Sequence, residues 1–206
     1  RQLAFRMTCG TNLSGIGKAM LLYANDNDDE LPKAGGRTNT WSPGGLPLWI
    51  PPTPAQATRD FAYGIVNNVG KVTVTSNFYL LVKYAEVTPK QFVCKGESDT
   101  REFSFSDLGT GVNIPVGSTL TDAWDFGPGG TTTPVHEYCS YSYHHPFSNF
   151  SLTTTHEPTM AVAADRNPWM TKPDERGGTE MQWANFIPDE QGVGGTADQA
   201  RVGNTD

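Results

Sequence analysis

Apolar side chains recur at three- and four-residue intervals near the start of the chain: Phe5, Cys9, Leu13, Ile16, Met20 and Ala24. That spacing draws one stripe along a helix from about residue 3 to 25. Gly10, Gly15 and Gly17 fall inside it, and each weakens a helix by about 1 kcal/mol relative to Ala, a cost that close packing against another element would offset. The run Asn25-Asp26-Asn27-Asp28-Asp29-Glu30-Leu31-Pro32 predicts the end of the helix, because Asx side chains favour turns and Pro32 forbids continuation.

Residues 33 to 58 are rich in Gly, Pro and Trp, a loop apolar enough for Trp41 and Trp49 to pin it to the body. Ser76 can cap a second helix through Phe78, Leu80, Leu81, Tyr84 and Ala85, stopping before Pro89. Four short strands are predicted at Gln91 to Cys94, Glu102 to Ser106, Glu137 to His144 and Met160 to Asp165. In the third, Tyr138, Tyr141 and Tyr143 share the segment with Cys139, Ser140 and Ser142 in near-strict alternation, the pattern of a half-buried strand. Gly- and Thr-rich connections fill 107 to 135, and after Arg166-Asn167-Pro168-Trp169 the pattern gives way to a polar, Gly-rich tail. One long helix, a second helix and several short strands without a βαβ rhythm describe an α+β chain whose sheet is antiparallel.

Composition narrows the function classes. Lys+Arg 15 against Asp+Glu 22 gives a net charge of -7, so the long-range field repels polyanions and no nucleic-acid partner is expected. No run of eighteen or more apolar residues occurs, so a membrane would be met only through a segment ahead of Arg1. The chain opens on Arg1 in what reads as mid-helix, and a preceding piece is expected on that ground. Aromatics at 11% argue for an ordered core, while 22 Gly and 15 Pro argue for long loops upon it.

Four landmarks carry a resemblance. The stretch from Cys9 to Pro32, with its Asn12-Leu13, Ile16-Gly17 and Tyr23-Ala24-Asn25-Asp26 pattern, is followed in order by Phe92-Val93-Cys94, Cys139-Ser140-Tyr141-Ser142-Tyr143 and Ala163-Ala164-Asp165-Arg166-Asn167-Pro168. Together they resemble type IV pilin-like proteins and type II secretion pseudopilins, in particular the planctomycete-type prepilin-like branch. The family's apolar helix half and processing site are missing ahead of Arg1, and the branch's closing Asn-Val-Leu strand and Asp-Gly-His turn do not occur before Asp206. The resemblance implies a pilin-like fold, with residues 1–30 as the later part of the pilin helix and its acidic turn, and 31–206 as a head forming one domain with it. It implies a structural subunit, not an enzyme, polymerising with itself in the periplasm or outside the cell. The stripe residues Leu3, Phe5, Leu13, Ile16 and Met20 would then pack between subunits or under the head, and Arg1, Arg6 and Lys18 would meet acidic residues of neighbours.

Several side-chain groups invite chemistry. Asp26, Asp28 and Glu30 crowd oxygen ligands at a helix end, which suits calcium, although the turn lacks the glycine and distant bidentate Glu of an EF-hand loop and is equally a solvated turn or a subunit contact. Asp165, Asp174, Asp189 and Glu190 are a second, weaker set. No cofactor is required by any motif. His136, His144, His145 and His156 lack zinc spacing, and neighbours on a strand point to opposite faces. Cys94 and Cys139 lie on predicted strands and would pair in an oxidising compartment if those strands are adjacent, or else remain buried thiols, with Cys9 as packing. Ser14 lacks the GxSxG context, and Gly10 to Lys18 lacks the first glycine of a phosphate loop. Trp41, Trp49, Trp124, Trp169 and Trp183 leave room for a glycan-binding or glycan-active head, and the runs Thr131 to Thr133 and Thr153 to Thr155 for O-glycans. A calcium-binding monomeric module is the remaining alternative.

Overall fold

Helix α1 spans Gln2–Asn25, and the stripe that predicts it faces inward, with Cys9, Ile16, Ala19, Met20, Tyr23 and Ala24 buried. In the computed structural model, residues 2–35, 57–66, 72–97, 100–108, 114–126, 137–144, 146, 152–157 and 160–165 are described. The chain divides into two compact units, Arg1–Ala164 and Asp165–Asp206, and apart from Asp165 every described residue belongs to the first. Expectations placed on the Trp41 and Trp49 loop and on the tail fall outside the described residues.

The acidic run ends α1 as predicted. Asp28 and Asp29 take positive φ angles of 54° and 61°, a conformation Asp tolerates better than most side chains, and Glu30 N–H closes the turn on the Asn27 carbonyl at 3.0 Å. The reversed chain then pairs, Glu30 bridging antiparallel to Thr153 and Leu31 N–H donating to the Leu152 carbonyl at 2.9 Å.

After the single turn α2, Arg59–Ala62, comes α3, Val74–Tyr84, whose cap is Thr73 rather than the expected Ser76. Both hydroxyls act at this end. Thr73 Oγ1 accepts from Ser76 N–H at 3.1 Å and Ser76 Oγ accepts from Thr73 N–H at 3.2 Å, a reciprocal box that starts the helix three residues before Ser76. Seven consecutive residues, Ser76 through Val82, are buried, so α3 is enclosed on all sides rather than lying on the surface. Asn77 is tolerable there because its side chain accepts the Ala34 N–H at 2.8 Å and donates to the Thr73 and Val74 carbonyls.

The sheet is smaller than the alternation predicts. It consists of β1, Tyr141–Tyr143, and β2, Ala163–Asp165, paired antiparallel. Residues 89–92 form a 3-10 turn instead of a strand, with Pro89 at its first position, and residues 105–108 form another. Alternation marks one face wet and one dry, but a strand also needs a neighbouring backbone to complete its ladder. Here Phe92 reaches the core from a turn and Phe103 from the irregular stretch ahead of the second one. The core is aromatic: Phe92 and Phe126 lie 5.0 Å apart, Tyr79 and Phe126 4.9 Å, Phe78 and Tyr143 5.1 Å between ring centroids, contacts worth about 0.5–1.5 kcal/mol each beyond their buried area. The fold is thus mixed α+β, a long N-terminal helix packed on a small antiparallel sheet.

Candidate functional site

Two features stand out, the outward face of α1 and the polar turn at its end. Burial divides the expected assembly residues. Ile16 and Met20 are 0% and 1% exposed, fully committed to this chain's own core, and Leu13 packs against that core. Phe5 is half-buried over Gly96. Leu3, by contrast, is 73% exposed, as are Met7 at 68%, Leu21 at 56% and Leu22 at 60%. Leu3, Met7, Gly10, Ser14, Gly17 and Leu21 recur at alternating spacings of four and three, so they form one line along the helix, apolar at both ends and small in the middle. A Cβ on Gly10 or Gly17 would meet nothing within 4 Å, whereas one on Gly15 would run into the Gln91 side-chain amide. Among the described residues, only Gly15 of the three has a neighbour that a side chain would meet. Arg6 and Lys18 flank the line, and α1 carries no acidic residue.

The disulfide differs from the expected one. Cys94 pairs with Cys9, Cα to Cα 5.4 Å across 85 residues of sequence, and Cys139 is a buried free thiol. The segments holding Cys94 and Cys139 are adjacent, as expected, but their register turns the thiols apart. Ser140 N–H donates to the Phe92 carbonyl and Ser140 Oγ accepts from Cys94 N–H, both at 2.8 Å. Ser140 therefore stands where a partner for Cys94 would be, and Cys139 Sγ turns to the Tyr141 carbonyl at 3.4 Å. Cys9 meets Cys94 because the helical stripe presses it onto the chain just past the 3-10 turn. Asn12 strengthens the same junction, donating to the Val93 carbonyl and the Tyr141 hydroxyl, both at 3.1 Å. Joined sulfurs offer no thiolate for metal or nucleophilic chemistry.

The acidic turn borders a pocket of about 280 Å³ lined by Tyr23, Asp26, Asn27, Asp28, Glu30, Leu31, Lys33 and Arg59. The carboxylate oxygens of Asp26, Asp28 and Glu30 do not all lie within 4.8 Å of one another, and two cations share the walls, so the turn is a mixed-charge pocket rather than a ready cage for calcium. Burial raises the Tyr23 phenol, opposed by the Arg59 guanidinium that hydrogen-bonds to it. Lys33 follows the turn by three residues, but nothing in the sequence ties Arg59 to it, because that link passes through tertiary packing.

His144 and His156 are exposed, and His136 and His145 lie outside the described residues. Trp124 is buried in the core, which removes it from any sugar platform, and the other four Trp residues lie outside the described residues. Thr154 and Thr155 are exposed, while Thr131 to Thr133, Arg1, Asp174, Asp189 and Glu190 are not described. No helix among the described residues is long and apolar enough to cross a membrane. No family model, no curated protein and no solved structure matches the chain.

Proposed function

We propose that this chain is a structural subunit of a type IV pilin-like filament in the periplasm or outside the cell, self-assembling through the outward face of α1. The observation that carries this is the line Leu3, Met7, Gly10, Ser14, Gly17 and Leu21, exposed except for the half-buried Gly17, on a helix whose opposite face is already filled by its own head. A helix apolar on both sides has a second surface to bury, and Gly10 and Gly17, beside which a side chain would meet none of the described residues, suit the close approach of another backbone.

Charge favours one arrangement of two copies. In-register parallel packing sets Arg6 against Arg6, and an antiparallel crossing that matches Leu3 to Leu21 sets Arg6 against Lys18. A parallel stagger of about 18 to 20 residues, or roughly 27–30 Å at 1.5 Å per residue, brings Leu3 beside the next copy's Leu21 and Leu22, and Arg6 to the start of its Asp26 to Glu30 turn. Such a head-to-tail contact does not close on itself and generates an open polymer. The Cys9–Cys94 disulfide fits an oxidising compartment, and the ordered landmarks from Cys9 to Pro168 supply the resemblance to pilin-like subunits.

Electron microscopy of the native full-length protein tests the reading, with and without a calcium chelator. Regular filaments are expected from the wild type, and none from Leu3→Glu with Leu21→Glu, whose melting temperature stays within about 2 °C of wild type because both sites are exposed. Arg6→Glu is expected to weaken assembly and Asp26→Lys with Asp28→Lys to restore it. Uniform single particles from the wild type, or filaments unaffected by the double glutamate variant, would overturn the proposal.

A further inference from the structure

The segment Leu120–Phe126 crosses α3 from its C-terminal third to its N-terminus, and side chains hold it there. Tyr79 donates its hydroxyl to the Leu120 carbonyl at 2.7 Å. Lys83 Nζ donates to the Thr121 carbonyl and to the Ala123 carbonyl at 3.0 Å, and stands 3.7 Å from the centre of the Trp124 ring. Tyr63 donates to the Trp124 carbonyl at 3.4 Å. At the far end the fully buried Asp125 accepts from Thr73 Oγ1 at 2.5 Å, from Thr75 Oγ1 at 2.8 Å and from Phe126 N–H at 2.8 Å. Two charges thus join the strap to α3, Asp125 of the strap at the N-terminus of the helix and Lys83 of the helix near its C-terminus. Each is hydrogen-bonded, but neither has an opposite charge among the contacts just named.

We propose that Leu120–Phe126 is a pH-responsive strap, held most loosely at neutral pH, where Asp125 and Lys83 are both charged at its contact with α3, and drawn tighter when either charge is neutralised. Desolvation is the cause, since the fully buried Asp125 and the half-buried Lys83 each cost more as charges than in their neutral forms, and the hydrogen bonds and the Asp122 carboxylate near Lys83 offset this only in part. Burial lifts the Asp125 carboxyl from 3.8 to about 6 against the opposing hydrogen bonds from Thr73, Thr75 and Phe126. Burial lowers the Lys83 amine from 10.5 to about 8, with Asp122 on the strap opposing. The hydroxyls of Tyr63 and Tyr79 also face Asp125, and burial pushes both phenols up, so they keep their protons throughout this window.

The signs follow from linkage. The native state holds the Asp125 proton more tightly than the unfolded chain does. Its contribution is therefore full below about 3.8 and lost as pH rises through about 6. Lys83 runs the other way, contributing fully above about 10.5 and losing that contribution as pH falls through about 8. Between the two lies a floor. Opening there would uncover Trp124 and Phe126, and the Trp124 indole N–H, which has no acceptor among the described residues, adds to the looseness.

The test is a series of thermal melts of the full chain from pH 4 to 10 for wild type, Asp125→Asn and Lys83→Met, read as differences from wild type so that all other titrations cancel. Asp125→Asn is expected to melt above wild type at pH 7, by about 5 °C, with the difference shrinking toward pH 4. The Lys83→Met difference is expected to fall between pH 7 and pH 10. Differences that do not vary with pH, or an Asp125→Asn deficit that deepens from pH 4 to pH 7, would overturn the proposal. A carbon-13 titration of the Asp125 carboxyl in the wild-type chain tests the same point without any variant. A midpoint near 6 supports the strap, and one at or below 3.8 overturns it.

Discussion

Gly10 and Gly17 hold no contact that a methyl group would disturb, so replacing either by Ala recovers helix propensity and is expected to stabilise the monomeric chain by about 1 kcal/mol in chemical denaturation. Gly15→Ala is expected to gain less, because the Gln91 amide must swing aside. If the glycines serve a contact between copies, the same Ala substitutions slow filament growth while raising monomer stability, a split that a purely local role does not produce. Asn12 shows the opposite economy, two donor hydrogens meeting two acceptors on separate segments. Asn12→Ala removes both hydrogen bonds and is expected to cost about 1–3 kcal/mol, measured by urea unfolding.

At the scale of elements, α1 is attached to the head by the stripe, by Asn12 and by the covalent link from Cys9 to Cys94. Closing a loop of 85 residues restricts the unfolded chain, and the chain-entropy relation gives about 4–5 kcal/mol for a loop of this order. Reduction, or Cys9→Ser with Cys94→Ser, is expected to lower stability by that order. Peptide mapping should recover the Cys9–Cys94 pair, and Cys139, buried in the native state, should react with a thiol reagent only after unfolding. A mapped Cys94–Cys139 pair would contradict the register set by Ser140.

For the whole molecule, the two faces of α1 separate folding from assembly. Ile16→Glu or Met20→Glu places a charge where the side chain has no solvent access and is expected to unfold the head, seen as loss of the cooperative melt. Leu3→Glu and Leu21→Glu change surface and are expected to leave the melt intact while removing filaments. Of the two places expected for the stripe, between subunits or under the head, Ile16 and Met20 take the second, and contact between copies is left to the outward line. A stripe at helical spacing says that one face is buried, and whether it is buried by its own chain or by another is a property of the assembled fold.

Local physics was legible along the chain. The period of Phe5, Cys9, Ile16 and Met20 determined α1, the Asx-rich run and Pro32 determined its end, and the interval from Val74 to Tyr84 determined a second helix to within three residues, because helix periodicity, turn propensity and proline geometry act between near neighbours. The ladder partners of the short strands, the enclosure of α3, the choice of Cys9 over Cys139 and the arrival of Arg59 at the acidic turn were decided only in three dimensions. So was the burial of Asp125 in its strap. Each depends on which distant segments share a wall of the core, and in a chain with long Gly- and Pro-rich connections many such arrangements share the same local pattern until packing selects one.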